Sequence, residues 1–260
     1  MSISIRPPLW FSEIGQKDNQ EDFVMPTDAK NTDRCFVLCD GVGGRQKGEL
    51  ASKVFASVLY ECGSKVLLGN NLNEAMSHAI ERAWKELDKY DDNGDINKMA
   101  TTFVAVFIGN KKDILIGHIG DSRVYVVSTG KKAHIRFRTK DHSIVEDLLA
   151  ANLISKEERE HHPMAHVITK AVQPCERTEP TYHQLPVHSG DYIFLCSDGV
   201  LEQITDQMLV EILNSNQSDS QKLSQIKNIC DGKTHDNYTA LLIPIHSVKS
   251  VFNWPLSKVI

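Results

Sequence analysis

Acidic residues recur where short apolar runs end beside glycine or another small residue. CFVLC (35–39) leads into Asp40-Gly41-Val42-Gly43-Gly44, DYIFLCS (191–197) into Asp198-Gly199, and ILIGHI (114–119) into Gly120-Asp121-Ser122-Arg123. Gln20-Glu21-Asp22 precedes them all, and His235-Asp236-Asn237 lies near the carboxyl end. Asp-Gly alone is an ordinary turn signal. The apolar runs before Asp40 and Asp198 change that reading, because an acid where a buried strand emerges is costly unless it is paired or bound to a cation. No matching supply of lysine or arginine stands beside these acids. Converging carboxylates repel one another, and hard divalent cations such as Mg²⁺ or Mn²⁺, which prefer oxygen ligands, relieve that repulsion.

The glycine-rich stretch after Asp40 invites comparison with a nucleotide-binding turn. G-x-G-x-x-G would need glycine where Gln46 stands, and Lys47-Gly48 reverses the Gly-Lys order of a P-loop. Neither motif fits. The glycines still let the backbone approach a metal or phosphate closely, and Gly41 can offer its carbonyl.

Positioning these residues requires a folded core, and the 260-residue chain has the composition for one. At 41% hydrophobic and 24% charged it falls in the range of globular domains, which excludes disordered, collagen-like and coiled-coil classes. A net charge of −5 argues against a general nucleic-acid surface. Lys131-Lys132 and Arg136-Phe137-Arg138 read as a solvated hairpin. No apolar run reaches the ~18–20 residues of a membrane helix, and the start MSISIRPPLWF has no signal-like stretch, so a cytoplasmic location without a membrane partner is expected. The six cysteines show no metal-binding spacing and read as reduced thiols.

Helical periodicity covers 48–62 and 72–90, with Asn71 and Glu74 placed as a capping box. Further helix starts are expected at Ser143 and Ser155, each followed by glutamate three residues on, and helices over 206–214 and 219–230. Strand-like runs are 35–39, 102–108, 114–119, 123–128, 134–138, 191–196 and 238–243. Helices in blocks, with consecutive strands between them, predict an α+β fold of antiparallel sheets covered by helix pairs. The tail 244–260 has no clear period and is expected to dock loosely.

Taken in order, the motifs resemble the metal-dependent serine/threonine protein phosphatases, the type 2C or PPM family, in its compact bacterial form. The fragments are G-x-K-x-x-Q-E-D (15–22), DGVGG (40–44), ATTF (100–103), GDSR (120–123), DHS (141–143), HP with VITKAV (162–163 and 167–172), SDG (197–199) and DNYT (236–239). The resemblance implies one domain over 1–260, folded as a four-layer α-β-β-α sandwich, with a flap at 140–172. It implies a centre of two Mn²⁺ or Mg²⁺ ions held by Asp40, Gly41, Asp198 and Asp236, with Glu21 and Asp22 supporting it. A third, weaker ion would use Asp121 and Glu202. Water activated there would attack the phosphorus of phosphoserine or phosphothreonine without a phospho-enzyme, and the cysteines would take no part. Phosphoproteins, including a cognate kinase and its targets, would be the partners.

Four positions depart from the family pattern. Lys17 stands where arginine usually binds phosphate, so Arg45 could be recruited to help. Val42 replaces a histidine that many eukaryotic members use as general acid, leaving protonation of the leaving group to water. Glu202 replaces an aspartate, and Ala100 a glycine. The alternative these departures leave is a catalytically weak pseudophosphatase acting as a regulatory binding module. Among the histidines, His118 reads as packed and hydrogen-bonded, His142 as shaping the helix start at Ser143, and His161-His162 as exposed loop.

Overall fold

The computed structural model describes residues 2–42, 47–66, 71–90, 99–109, 112–160 and 162–249. Two antiparallel sheets lie face to face. The first joins β1 (Ser2–Ile5), β11 (Tyr238–Lys249), β10 (Tyr192–Cys196), β7 (Arg123–Ser128) and β8 (His134–Arg138) in that order, with β2 (Leu9–Glu13) also paired to β11. The second runs β3 (Asp22–Met25), β4 (Cys35–Asp40), β5 (Phe103–Ile108), β6 (Asp113–Ile119), β9 (Thr181–Pro186).

Alternation along the strands divides the core into three apolar layers. In β4, Phe36 and Leu38 face the other sheet together with Val104, Val106, Ile193, Leu195, Leu241 and Ile243. Cys35, Val37 and Cys39 face the opposite way, onto α1 (Gly48–Val66) and α2 (Leu72–Leu87). The i, i+4 faces meet there, with Phe55 edge-on to Trp84 at 5.6 Å. On the far side Tyr125, Phe194, Ala240 and Leu242 pack on α6 (Asp206–Asn214) and α7 (Asp219–Cys230) through Leu209, Leu213 and Ile226. The result is the α-β-β-α sandwich expected. Full burial of side chains such as Phe55, Phe103 and Phe194 contributes about 2–3 kcal/mol each.

Helix starts follow the capping residues. Asn71 accepts from the amides of Asn73 and Glu74, Ser143 from Glu146 at the head of α3 (Ile144–Ala150), and Ser155 and Glu158 bond reciprocally at α4 (Lys156–Glu160). The helix over 72–90 is α only to Leu87, and Asp88–Tyr90 tightens into a 3₁₀ turn.

Four strands lie outside the periodic runs: β1, β2, β3 and β9. The strand expected to stop at 243 also continues to Lys249. Pro244 is tolerated because it stands where the partner of β11 changes. Its carbonyl accepts from Arg6 N, so the missing N–H faces the break between β2, which pairs as far as Leu242, and β1, which begins at Ile245. Residues 244–249 are therefore sheet rather than loose tail, and 250–260 lie outside the described residues.

Candidate active site

Four strand ends, two from each sheet, open at one edge of the sandwich. Asp40 is the last residue of β4, Asp121 follows β6, Asp198 follows β10 at the head of the short α5 (Asp198–Leu201), and Asp236 precedes β11. Together with Lys17, Gly41, Val42, Thr102, His166, Ile168, Glu202 and His235 they line a cavity of about 480 Å³. The resemblance-derived residues Asp40, Gly41, Asp121, Asp198, Asp236, Glu202 and Lys17 thus share one space. Glu21 and Asp22 stand behind it, Asp22 directly across the ladder from Asp40. Arg45 lies outside the described residues.

Backbone hydrogen bonds fix the acids. Asp40 N donates to Thr102 Oγ1 (3.2 Å), and the Asp40 carbonyl accepts from Thr102 N (2.7 Å) and Thr101 Oγ1 (2.8 Å). Thr102 Oγ1 in turn shares a bond with Ser122 Oγ (2.7 Å), tying the Asp40 and Asp121 turns together. Asn237 organises the opposite wall. Its Oδ1 accepts from Glu21 N (2.7 Å), and its amide donates to the carbonyls of Ile14 and Asn19. Gly15 has φ +64, and a Cβ there would meet the Asp236 carbonyl oxygen at 2.0 Å, so only glycine lets the Lys17 loop approach Asp236 this closely.

The electrostatics are those of crowded, dehydrated carboxylates. Burial, then the charges of Asp22 and Asp198, hold Asp40 well above the usual carboxylate range. Asp198 is raised by burial and by Asp236. Asp121 is pushed up to about 8 by burial and Asp198, and Asp22 to about 7 by burial against a bond from Ser197. Asp22 Oδ2 accepts from Ser197 Oγ (2.7 Å), while its buried Oδ1 has no partner. Lys17 Nζ lies 3.0 Å from Asp236 Oδ2. Burial opposes its charge, yet that bond and the charges of Asp236, Glu21 and Asp198 raise its pKa overall.

Three placements differ from expectation. Glu202 does not aim a free carboxylate at the cavity: Oε1 accepts from Asp236 N (3.1 Å) and Oε2 from His235 N (2.9 Å), so it braces the turn that carries Asp236. His118 is packed as expected but not hydrogen-bonded, since both ring nitrogens are buried without partners. His162 is half-buried, with Nδ1 accepting from Met164 N, and His161 lies outside the described residues. His166, Ile168 and His235 line the cavity although the sequence reading did not single them out as site residues; Ile168 stands inside VITKAV, His166 just before it, and His235 just before DNYT.

The donor set fits hard divalent cations in kind. It consists of oxygens, carries surplus negative charge, and brings Asp40 and Asp198 within hydrogen-bonding reach, which two ionised carboxylates tolerate only with a proton or cation between them. Among the described residues no three His, Cys, Asp or Glu side chains form a closed ligand cluster on their own. Asp236 faces Lys17 instead, so carbonyl and water oxygens would have to complete a shell. The strand thiols offer no alternative chemistry: no disulfide joins the six cysteines, and burial pushes the Cys35, Cys39 and Cys196 thiols well above their usual range.

Residues 12–229, most of the chain and every acid but Asp236, match the family profile described as protein phosphatase 2C. The chain belongs to the protein phosphatase 2C family. It is similar to the serine/threonine phosphatase Stp of Listeria monocytogenes serotype 4b, with 29% identity over 82% of this chain and 85% of the relative. Protein phosphatase PhpP of Streptococcus pneumoniae is 27% identical over 90% and 96% of the two chains. Among solved structures, the Mycobacterium tuberculosis serine/threonine phosphatase PstP/Ppp superposes with TM-score 0.81 at 26% identity, covering 94% of this chain and 99% of its own. A catalytic domain of serine/threonine phosphatase PstP, described in complex with two manganese ions, gives 0.79 at 26% identity over 95% and 100%. These relatives agree with the phosphatase fold and enzyme class expected from the motifs. No helix among the described residues is long and apolar enough to cross a membrane.

Proposed function

We propose that this protein phosphatase 2C member hydrolyses phosphoserine and phosphothreonine in proteins at the cavity between the sheet ends. The observation that carries the reading is the convergence of Asp40, Asp121, Asp198 and Asp236, from four strand ends, on one cavity that Lys17 also lines. The manganese complex of a related catalytic domain supports divalent metal as the cofactor, with Asp40, Asp198, Asp236 and the Gly41 carbonyl as the residues that would hold two ions. Asp121 would serve a third. Bound there, such ions supply charge to neutralise phosphoryl oxygens and acidity for water at neutral pH.

The chain's own residues do the rest. Without cations the crowded acids hold protons or repel one another and a phosphate dianion, so the carboxylates favour substrate entry only with metal bound. Lys17 offers a point charge on a flexible stem, suited to a phosphoryl oxygen but without the fork of arginine. Asn237 and Thr102 hold the acid-bearing turns apart and in place, and Glu202 keeps Asp236 facing the cavity. Val42 supplies no proton, which leaves the leaving oxygen to be protonated from solvent. His166 and Ile168 line the cavity, which supports a role for the segment around them in selecting the protein substrate. We further propose that residues 1–260 act as one catalytic domain, in the cytoplasm and in signalling, on phosphoproteins that include a cognate kinase and its targets.

Release of inorganic phosphate from phosphothreonine, phosphoserine and phosphotyrosine peptides of one sequence, with Mn²⁺, Mg²⁺ or EDTA, tests this. Turnover of the first two that requires metal is expected. A protein that binds the peptides under all metals without releasing phosphate would be a binding module instead.

A further inference from the structure

His142, expected only to shape the helix start at Ser143, joins three elements beside the cavity. Gly120 N donates to His142 Nδ1 (3.1 Å), and His142 N donates back to the Gly120 carbonyl (2.9 Å), a reciprocal clasp on the residue before Asp121. Because a backbone amide is always a donor, Nδ1 must be the acceptor and the ring proton must lie on Nε2. Nε2, 2.9 Å from Thr181 Oγ1, then donates to the first residue of β9. The His142 carbonyl accepts from Thr169 N (2.8 Å), and Ser143 bridges Ile168, which lines the cavity. The ring also lies flat on the fully buried His118, 4.6 Å between centroids and 5° from parallel.

Gly120 has no freedom on its other side. Its φ is +99, and a Cβ would lie 2.5 Å from Thr102 Cγ2, the same threonine that bonds Asp40 N and Ser122. The turn bearing Asp121 is therefore held between Thr102 and His142. We infer that His142, as the neutral Nε2–H tautomer, is a positioning residue that fastens the cavity wall at 166–169 to the Gly120–Asp121 turn, so that the wall and the acid keep one register. The inference rests on reading the cavity as the phosphatase centre with Asp121 as the acid for a third ion. The fastening of Gly120 itself does not need that reading.

Three variants separate this from a packing role. Asn places a carbonyl oxygen near the Nδ1 position, Gln places its polar end near Nε2, and Leu supplies bulk alone. Amide hydrogen exchange of Gly120 and Thr169 is measured without metal, alongside kcat and the Mn²⁺ midpoint for p-nitrophenyl phosphate. H142N should keep Gly120 protection and a Mn²⁺ midpoint within about twofold of the parent. H142Q and H142L should lose about tenfold in protection and raise the midpoint about tenfold or more, as loss of an outer-shell partner does. H142N falling with H142L, or H142L matching the parent, would overturn the assignment. If H142L does not fold, H142N against H142Q decides it. A parent without metal-dependent hydrolysis, but with the expected order of Gly120 protection, would sink the phosphatase reading and leave the clasp standing.

Discussion

At the residue scale, Lys17 decides how this cavity differs from one built on arginine. Its ammonium is held by Asp236 at 3.0 Å, half-exposed at the cavity mouth. In the proposed reading a phosphoryl group would share this ammonium with a carboxylate. Lys17→Ala should raise KM for phosphopeptides by about 10- to 100-fold, the worth of one charge-assisted hydrogen bond, with a smaller change in kcat. Lys17→Arg should restore or lower KM, because a fork can serve Asp236 and phosphate together. Steady-state kinetics of the two variants checks this, and an unchanged KM in Lys17→Ala would place phosphate recognition elsewhere. The acids and Lys17 were legible from motif order. Glu202 was legible as a cavity residue but not as a brace, because the difference lies in which backbone amides fold back onto it. Asn237 and Ser197 sat inside recognised fragments, but nothing in their types announced that each would tie two segments together.

Among the elements, legibility followed burial. β5 and β10 are apolar throughout, and β4 is apolar up to its last residue, Asp40; all three stood out at once, because both of their faces are covered. β9, TYHQLP, is an edge strand of partly exposed polar residues, and β1 and β2 are short pieces sharing one side of β11, so none carries a strong period. Pro244 misled for a similar reason, since only tertiary pairing reveals that its missing N–H falls at a strand junction. β6 contributes a testable oddity. His118, on the inter-sheet face with His183 and against His142, has its pKa lowered to about 3 by burial, then by His142, His183 and Lys170. Its folded pKa lies below the unfolded 6.5, so its neutral form is compatible with folding above pH 6.5 and stability is lost as pH falls from there toward 3. Urea unfolding between pH 7 and 4 should show this as a loss of a few kcal/mol, with a slope that approaches ~1.4 kcal/mol per pH step of one. His118→Leu should flatten that slope; an unchanged slope would assign the acid sensitivity to other groups.

Across the whole molecule, the sandwich gathers charge at one edge that the core cannot neutralise. Four acids from both sheets meet there, so binding a cation links the two sheets through their ends. Saturating Mn²⁺ at about 100 times its dissociation constant should add ~2.7 kcal/mol to folding and raise the melting temperature by roughly 5–10 °C over the EDTA-treated protein. Asp40→Asn should lose most of that rise, and differential scanning calorimetry checks both. In the basic β7–β8 hairpin, by contrast, Arg136 and Arg138 are paired with Asp191 and Asp206. The most direct test is hydrolysis of p-nitrophenyl phosphate by the purified protein with EDTA, Mg²⁺ or Mn²⁺, beside Asp40→Asn and Asp198→Asn. The account predicts activity only with metal and a fall of about 100-fold or more in both variants, beyond the 10- to 100-fold typical of outer-shell partners. Activity that persists in EDTA, or in both folded variants, would contradict it.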